Sequence, residues 1–136
     1  MLKKHIVITG STRGIGFGLA EAFLARGCSV TVSGRSEEAV QKTVAGLRSK
    51  YEAENIFGLA CDVTVPEKVQ RLWDLSIKKF GKVDIWINNA GLSGERGLVW
   101  ELSPEDAMIP IHTNILGTIY SAQVAVRSML GRSQTC

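Results

Sequence analysis

The run Thr9-Gly10-Ser11-Thr12-Arg13-Gly14-Ile15-Gly16 brings glycines, hydroxyls and a guanidinium into one short stretch. It follows Ile6-Val7-Ile8, a β-branched run that predicts a buried strand. It precedes Ile15, Leu19 and Phe23, which recur at helical spacing. A strand, a glycine turn and a helix in that order aim unpartnered backbone N–H groups and a positive helix end at a phosphate. Gly10 would permit the sharp turn. Gly14 and Gly16 would remove the β-carbons that hold a pyrophosphate and the packed strand at a distance. The spacing is G-x-x-x-G-x-G, with Gly18 added, and not G-x-G-x-x-G. Glycines near a helix start also serve packing alone. Their place after the first strand of an alternating pattern favours a dinucleotide.

The elements that must position this loop read as βα units in series. Strand one is expected over about Lys4–Thr9 and the first helix over about Gly14–Arg26, closed by Gly27. Strand two is Ser29–Ser33. The next helix has Ser36 as N-cap, Glu37 and Glu38 in its first turn, and Val40, Val44, Leu47 and Tyr51 on one face. Strand three is Asn55–Cys61. Thr64-Val65-Pro66-Glu67 reads as a capping box, opening a helix that buries Val69, Leu72, Trp73 and Ile77 and stops at Gly81. Strand four is Val83–Asn88. Ser103-Pro104-Glu105 starts a further helical stretch, with a break at Pro110 and a restart near Ile111. Ile115, Thr118, Ala122 and Val126 fall on one face of that last helix. Strands that are apolar on both faces predict a parallel α/β sheet covered by helices on each side. Right-handed crossovers then give the strand order 3-2-1-4, a doubly wound Rossmann-type arrangement. A ligand crevice is expected where the order reverses, beside the glycine loop.

Composition excludes several classes. The chain has 136 residues, 45% hydrophobic and 21% charged, which predicts one globular domain over residues 1–136. A net charge of +3, with no basic run interleaved with aromatics, argues against nucleic acid. No apolar run approaches the about 18 residues needed to span a bilayer. The first strand begins almost at once, which leaves no room for a signal or transit peptide and predicts a cytoplasmic protein. Cys28, Cys61 and Cys136 have no metal-ligand or redox spacing and read as reduced thiols. His5 and His112 are isolated and read as surface residues of a strand and a helix.

Four features in register resemble the short-chain dehydrogenase/reductase family: Thr9–Gly16, Cys61-Asp62-Val63-Thr64, Asn88-Asn89-Ala90-Gly91 and Thr113-Asn114-Ile115-Leu116-Gly117. The resemblance runs from about residue 4 to 130. It implies that Gly10, Ser11, Thr12, Gly14, Ile15 and Gly16 hold the ribose and pyrophosphate of a nicotinamide cofactor. Asp62 would accept from the adenine amino group, with the Val63 amide near the ring. Asn89, Ala90 and Gly91 would line the adenosine ribose side, with Asn89 also bracing the sheet. Asn114 would perturb its helix and hold a water in a proton relay. Ile8–Gly14, Asp84–Gly91 and Thr113–Gly117 further resemble the chlorophyll(ide) b reductase branch. That branch would imply reduction of a tetrapyrrole formyl group, although no residue present reads a porphyrin.

Charge decides the expected cofactor. In an NAD site an acidic residue about 20 positions past the glycine loop binds the ribose hydroxyls. Here strand two ends Val32-Ser33-Gly34-Arg35-Ser36, with Gly34 where the carboxylate is expected. A carboxylate would repel a 2′-phosphate, whereas Arg35 can grip it through forked, charge-assisted hydrogen bonds. Arg13 can reach the same group, and Ser33 completes the cofactor set. NADP(H) is therefore favoured over NAD(H). Arg35 as a solvated surface charge is the bland alternative.

The family's reaction needs a tyrosine as proton donor, a lysine four residues later and a serine that orients the carbonyl. Tyr51 is followed at that spacing by Asn55, and Tyr120 by Val124. Of the catalytic set only Asn114 is present, so the polypeptide alone is expected to have negligible reductase activity. Two readings follow, beside the bland one of a fragment with no independent role. The chain is the cofactor-binding portion of an NADP-dependent carbonyl reductase, or it is an inactive module that binds cofactor or dimerises. Strand four is expected to be a long apolar edge. The last helix is a subunit contact in the family and implies a homo-oligomer.

Overall fold

A computed structural model describes residues 3–94 and 97–133. The described chain forms one parallel sheet of four strands in the order β3-β2-β1-β4. The strands are β1 (His5–Ile8), β2 (Ser29–Gly34), β3 (Ile56–Ala60) and β4 (Ile85–Ile87). Pairing aligns Ile8 with Val32 on one side and with Ile87 on the other. The loops after β1, β2 and β4 therefore emerge at the same end of the sheet. The chain order reverses between β1 and β4, as the sequence predicts.

Helices cover both faces. On one face α1 (Gly14–Leu24) and α2 (Glu37–Arg48) pack on Ile6, Ile8, Val30 and Val32. Gly16, Ala20 and Leu24 are the buried residues of α1. Leu19 and Phe23 are only half-buried, and Ile15 is 79% exposed. The small residues face the sheet because the helix backbone lies close to it there. Gly27, at φ +77°, ends the turn after α1, with Cys28 N–H donating to Phe23 O. In α2 the Ser36 hydroxyl accepts from Ala39 N–H at 3.2 Å, and Val40, Val44 and Leu47 are buried as expected.

The other face carries α3 (Pro66–Phe80) and α5 (Gly117–Ser133), which pack on each other and on Val7, Cys61 and Val63. Two expectations fail here. Thr64 does not cap α3. Its N–H and hydroxyl both turn back to Asp62 Oδ1, at 3.0 and 2.7 Å, and Val65 stands at the cap with no side-chain bond. The buried line of the last helix is Thr113, Gly117, Ser121 and Ala125, whereas Ile115 and Val126 are 52% and 53% exposed. A β-carbon on Gly117 would lie 2.5 Å from Val63 Cγ2, so only a small residue allows this approach.

Pro110 does not break the helical stretch. Helix α4 (Pro104–Pro110), capped by Ser103 accepting from Asp106 N–H at 3.1 Å, runs into a π-turn over Ile111–Leu116 and then into α5. The wider turn accommodates the missing donor. His5 is not a surface residue. It is 2% exposed and bonded through both ring nitrogens. Strand β4 is a short edge of three residues, with Ile85 40% exposed.

Candidate cofactor site

The cleft lies at the end of the sheet where β1, β2 and β4 deliver their loops. It has a volume of about 520 Å³, within the size range of ligand pockets. Gly10, Thr12, Arg13, Gly14 and Ile15 form one wall, and Gly34, Arg35 and Ser36 a second. Cys61, Val63, Asn89, Ala90 and Gly91 close the far side. Of the residues singled out in the sequence, Ser11, Gly16, Ser33, Asp62 and Asn114 do not line it.

Ser11, Gly16, Ser33 and Asn114 hold the walls in place, whereas Asp62 accepts from Thr64. Ser11 is fully buried. Its hydroxyl donates to Ile8 O at 2.7 Å and accepts from Ser33 N–H at 2.9 Å, while its own N–H donates to Ser33 O at 2.7 Å. The glycine loop is thereby tied to β2, and the Ser33 hydroxyl is buried with no hydrogen-bond partner among the described residues. Gly16 is packed so closely that a β-carbon would lie 2.4 Å from Asn89 Nδ2 and 2.6 Å from Gly10 O. Gly10, at φ +62°, would meet Ala90 Cα at 2.6 Å. Gly14 differs from both. It has φ +59°, and a β-carbon there would meet nothing within 4 Å. It faces the open cleft.

Asn89 links the two loops. Its carboxamide donates to Thr9 O at 3.1 Å and Gly10 O at 2.8 Å, and its N–H donates to Thr9 Oγ1 at 3.1 Å. The bracing expected of Asn89 is thus a set of bonds between the ends of β1 and β4. Asn114 sits in the π-turn. Its Oδ1 accepts from Leu92 N–H at 2.9 Å, and its Nδ2 donates to Leu92 O at 2.8 Å. Gly91 passes close beneath, where a β-carbon would lie 3.2 Å from Asn114 Oδ1.

Two electrostatic features bear on ligand choice. Arg13 stands at the N-cap of α1, cannot cap it, and leaves the first helical amides without a side-chain partner. Those amides and the positive helix end meet the cleft beside Gly14. Arg13 and Arg35 are both exposed on the cleft walls, and no carboxylate lies within ion-pair distance of either among the described residues. A β-carbon on Gly34 would lie 2.8 Å from Thr12 Cγ2, so a side chain there needs Thr12 to turn.

Asp62 is partly desolvated, which pushes its pKa up. The Thr64 hydrogen bonds and the charges of Lys68 and Arg35 outweigh this and hold it below the usual carboxylate value. Burial, reinforced by Asp62, pushes the Cys61 thiol up to about 11. Cys61 lines the cleft but stays protonated at neutral pH and is a poor nucleophile. The sequence reading omitted Ala39, Leu92 and Thr113, which also line the cleft. Leu92 directly follows the Asn-Asn-Ala-Gly motif, which was the available signal. Thr113 opens the Thr113–Gly117 motif, whereas Ala39 carries no signal. No helix among the described residues is long and apolar enough to cross a membrane.

Known proteins repeat this arrangement. The chain is 39% identical over 142 residues to a probable chloroplastic chlorophyll(ide) b reductase of Arabidopsis thaliana, covering 93% of this chain and 28% of that protein. A short-chain dehydrogenase/reductase from Burkholderia phymatum, solved in complex with NAD, superposes with a TM-score of 0.87 at 34% identity, over 96% of this chain and 45% of its own. The protein ElxO, solved with NADP bound, gives 0.86 at 38% identity, over 97% of this chain and 52% of its own. The chain therefore spans about half or less of the length of these relatives. The chloroplastic relative lends no support to a cytoplasmic location. The short chain dehydrogenase family profile matches residues 4–135, and with this sheet order and this cleft the chain belongs to the short-chain dehydrogenase/reductase family of oxidoreductases.

Proposed function

We propose that these residues form the NADP(H)-binding portion of a carbonyl or alcohol oxidoreductase. The observation that carries the reading is that Arg13 and Arg35 both line the cleft, with Gly34 where a ribose-binding carboxylate would stand. The cleft fits the cofactor's chemistry. Gly14 leaves open space before the uncapped amides of α1, a place for a diphosphate. Arg35 and Arg13 would hold the 2′-phosphate, and Thr12 and Ser36 offer hydroxyls between them. Asp62 remains ionised and would accept from the adenine amino group, with the Val63 amide beside the ring. Asn89, Ala90 and Gly91 would bound the ribose.

Bound nicotinamide would supply or accept the hydride. In this chain Asn114 fixes the rim of the cleft through Leu92 and would hold a water in the proton relay. No Tyr-x-x-x-Lys occurs in the 136 residues, so none of them matches the family's proton donor. The formyl-bearing tetrapyrrole of the chlorophyll(ide) b reductases is one carbonyl substrate class to screen. The exposed Ile111, Ile115, Ile119, Val126 and Leu130 on the π-turn and α5 give an apolar face suited to association with a second copy.

The test is a pair of fluorescence titrations, with NADPH and with NADH. The reading expects NADPH to bind more tightly. Equal or tighter binding of NADH would remove the role given to Arg35.

A further inference from the structure

We propose that the opposite pole of the sheet carries a second binding site, for a phosphate-bearing ligand. A recess of about 340 Å³ opens at the N-terminal ends of β1 and β2, beside the end of α3. Lys3, Lys79 and Lys82 surround it, with Ser29 and Asn55 at its wall and Glu54 on one side. It is separated from the cofactor cleft by the length of the strands and shares no residue with it.

The site is held in shape by buried chemistry. His5 forms part of the wall and packs on Phe80 with ring centroids 4.4 Å apart. His5 Nδ1 lies 2.5 Å from Lys82 O, and Nε2 lies 2.8 Å from Thr31 Oγ1. A carbonyl oxygen only accepts, so Nδ1 carries the hydrogen. The His5 N–H donates to Asp84 Oδ2 at 2.8 Å, and Asp84 Oδ1 accepts from Lys82 Nζ at 3.0 Å. Lys82 is thus fixed through both its carbonyl and its ammonium group before any ligand arrives.

Three observations point to an oxyanion. Ser29 is only 5% exposed, lines the recess, and makes no side-chain hydrogen bond with the described residues. Lys3 and Lys79 have no carboxylate within ion-pair distance among those residues. Lys4 shares Asp84 with Lys82, and Glu52 Oε2 accepts from Asn55 Nδ2 at 2.8 Å, so Lys3, Lys4, Lys79 and Lys82 meet three carboxylates, Asp84, Glu52 and Glu54. The negative end of α3 also points here, and Lys78 and Lys79 in its last turn offset it. A phosphate offers several acceptor oxygens to these ammonium groups and to the Ser29 hydroxyl at once.

Calorimetric titration with inorganic pyrophosphate tests the site in the 136-residue protein. Lys3→Glu and Lys79→Glu are each expected to weaken binding about tenfold or more, with Lys79→Gln intermediate. Ser29→Ala is expected to weaken it several-fold with the melting temperature unchanged. The glycine loop of the other cleft also offers a place to a diphosphate, so the titration is repeated with that cleft filled by NADPH, and one pyrophosphate is expected to remain bound. Vesicles containing phosphatidic acid distinguish the source. Vesicle binding that pyrophosphate competes away assigns a lipid headgroup, and pyrophosphate binding without vesicle binding assigns a soluble phosphate. Binding of neither probe, or binding indifferent to Lys3, Lys79 and Ser29, overturns the proposal.

Discussion

Gly34 and Arg35 set the expected choice between the two coenzymes, and they do so by opposite means. Arg35 supplies charge, whereas Gly34 leaves out a side chain that would carry the wrong one. A carboxylate placed by Gly34→Asp would repel a 2′-phosphate and offer a partner to a ribose diol. That variant should reverse the preference toward NADH, as read from the ratio of the two dissociation constants. Its effect depends on Thr12 turning aside, because the new β-carbon would lie 2.8 Å from Thr12 Cγ2. Gly16→Ala is a different kind of change. The added methyl would strike Asn89 Nδ2 and Gly10 O, so it should cost about 1–3 kcal/mol in chemical denaturation and weaken cofactor binding through the displaced loop. The glycine motif was plain in the sequence, but the division of labour within it was not. Gly10 and Gly16 accommodate neighbouring backbone and side chain, and Gly14 leaves open space at the cleft wall. Ser11 and Ser33 show the same gap. Their types suit phosphate binding, yet the Ser11 hydroxyl and the backbone groups of Ser33 join the loop to β2.

At the scale of elements, the alternation of strands and helices was legible because buried strands and Gly27 and Gly81 punctuate the chain. The face of α5 was not. Large apolar residues at helical spacing suggested Ile115 and Val126, but the helix approaches Val63 so closely that small residues fill the buried line. Periodicity counts hydrophobicity and is blind to distance of approach. Gly117→Val should therefore lower the melting temperature by several degrees, because its β-carbon alone comes within 2.5 Å of Val63 Cγ2. Ser36→Ala removes the one side-chain cap of α2 and should cost about 1 kcal/mol in denaturant melts. The capping box at Thr64 failed for a local reason. Asp62 two residues earlier competes for the Thr64 N–H and hydroxyl and wins both.

Across the whole molecule, charge is sorted between the two ends of the sheet. One end gathers Arg13 and Arg35 at the switch point, and the other gathers the lysines around Asp84. Partial burial pushes the Asp84 pKa up, but the His5 N–H and the Lys82 and Lys4 ammonium groups outweigh it and hold the carboxyl below its ordinary value. A depressed folded value contributes stability that is complete above the unfolded pKa, about 3.9, and is lost as pH falls through the folded one. Asp84→Asn should therefore be less stable than the parent at pH 7 and lose less on acidification, in denaturant melts compared between neutral pH and pH 3. This pole was invisible in the sequence because His5 carries no signal of burial. Its role depends on Thr31 and Lys82, far away along the chain. The account as a whole rests on the cleft between the first and fourth strands. A crystal structure of the protein with NADPH tests it most directly. The diphosphate is expected within hydrogen-bond distance of the backbone N–H groups of Gly14 and Ile15, with the 2′-phosphate between Arg13 and Arg35. A diphosphate bound at another surface, or a glycine loop closed by neighbouring side chains, would contradict it.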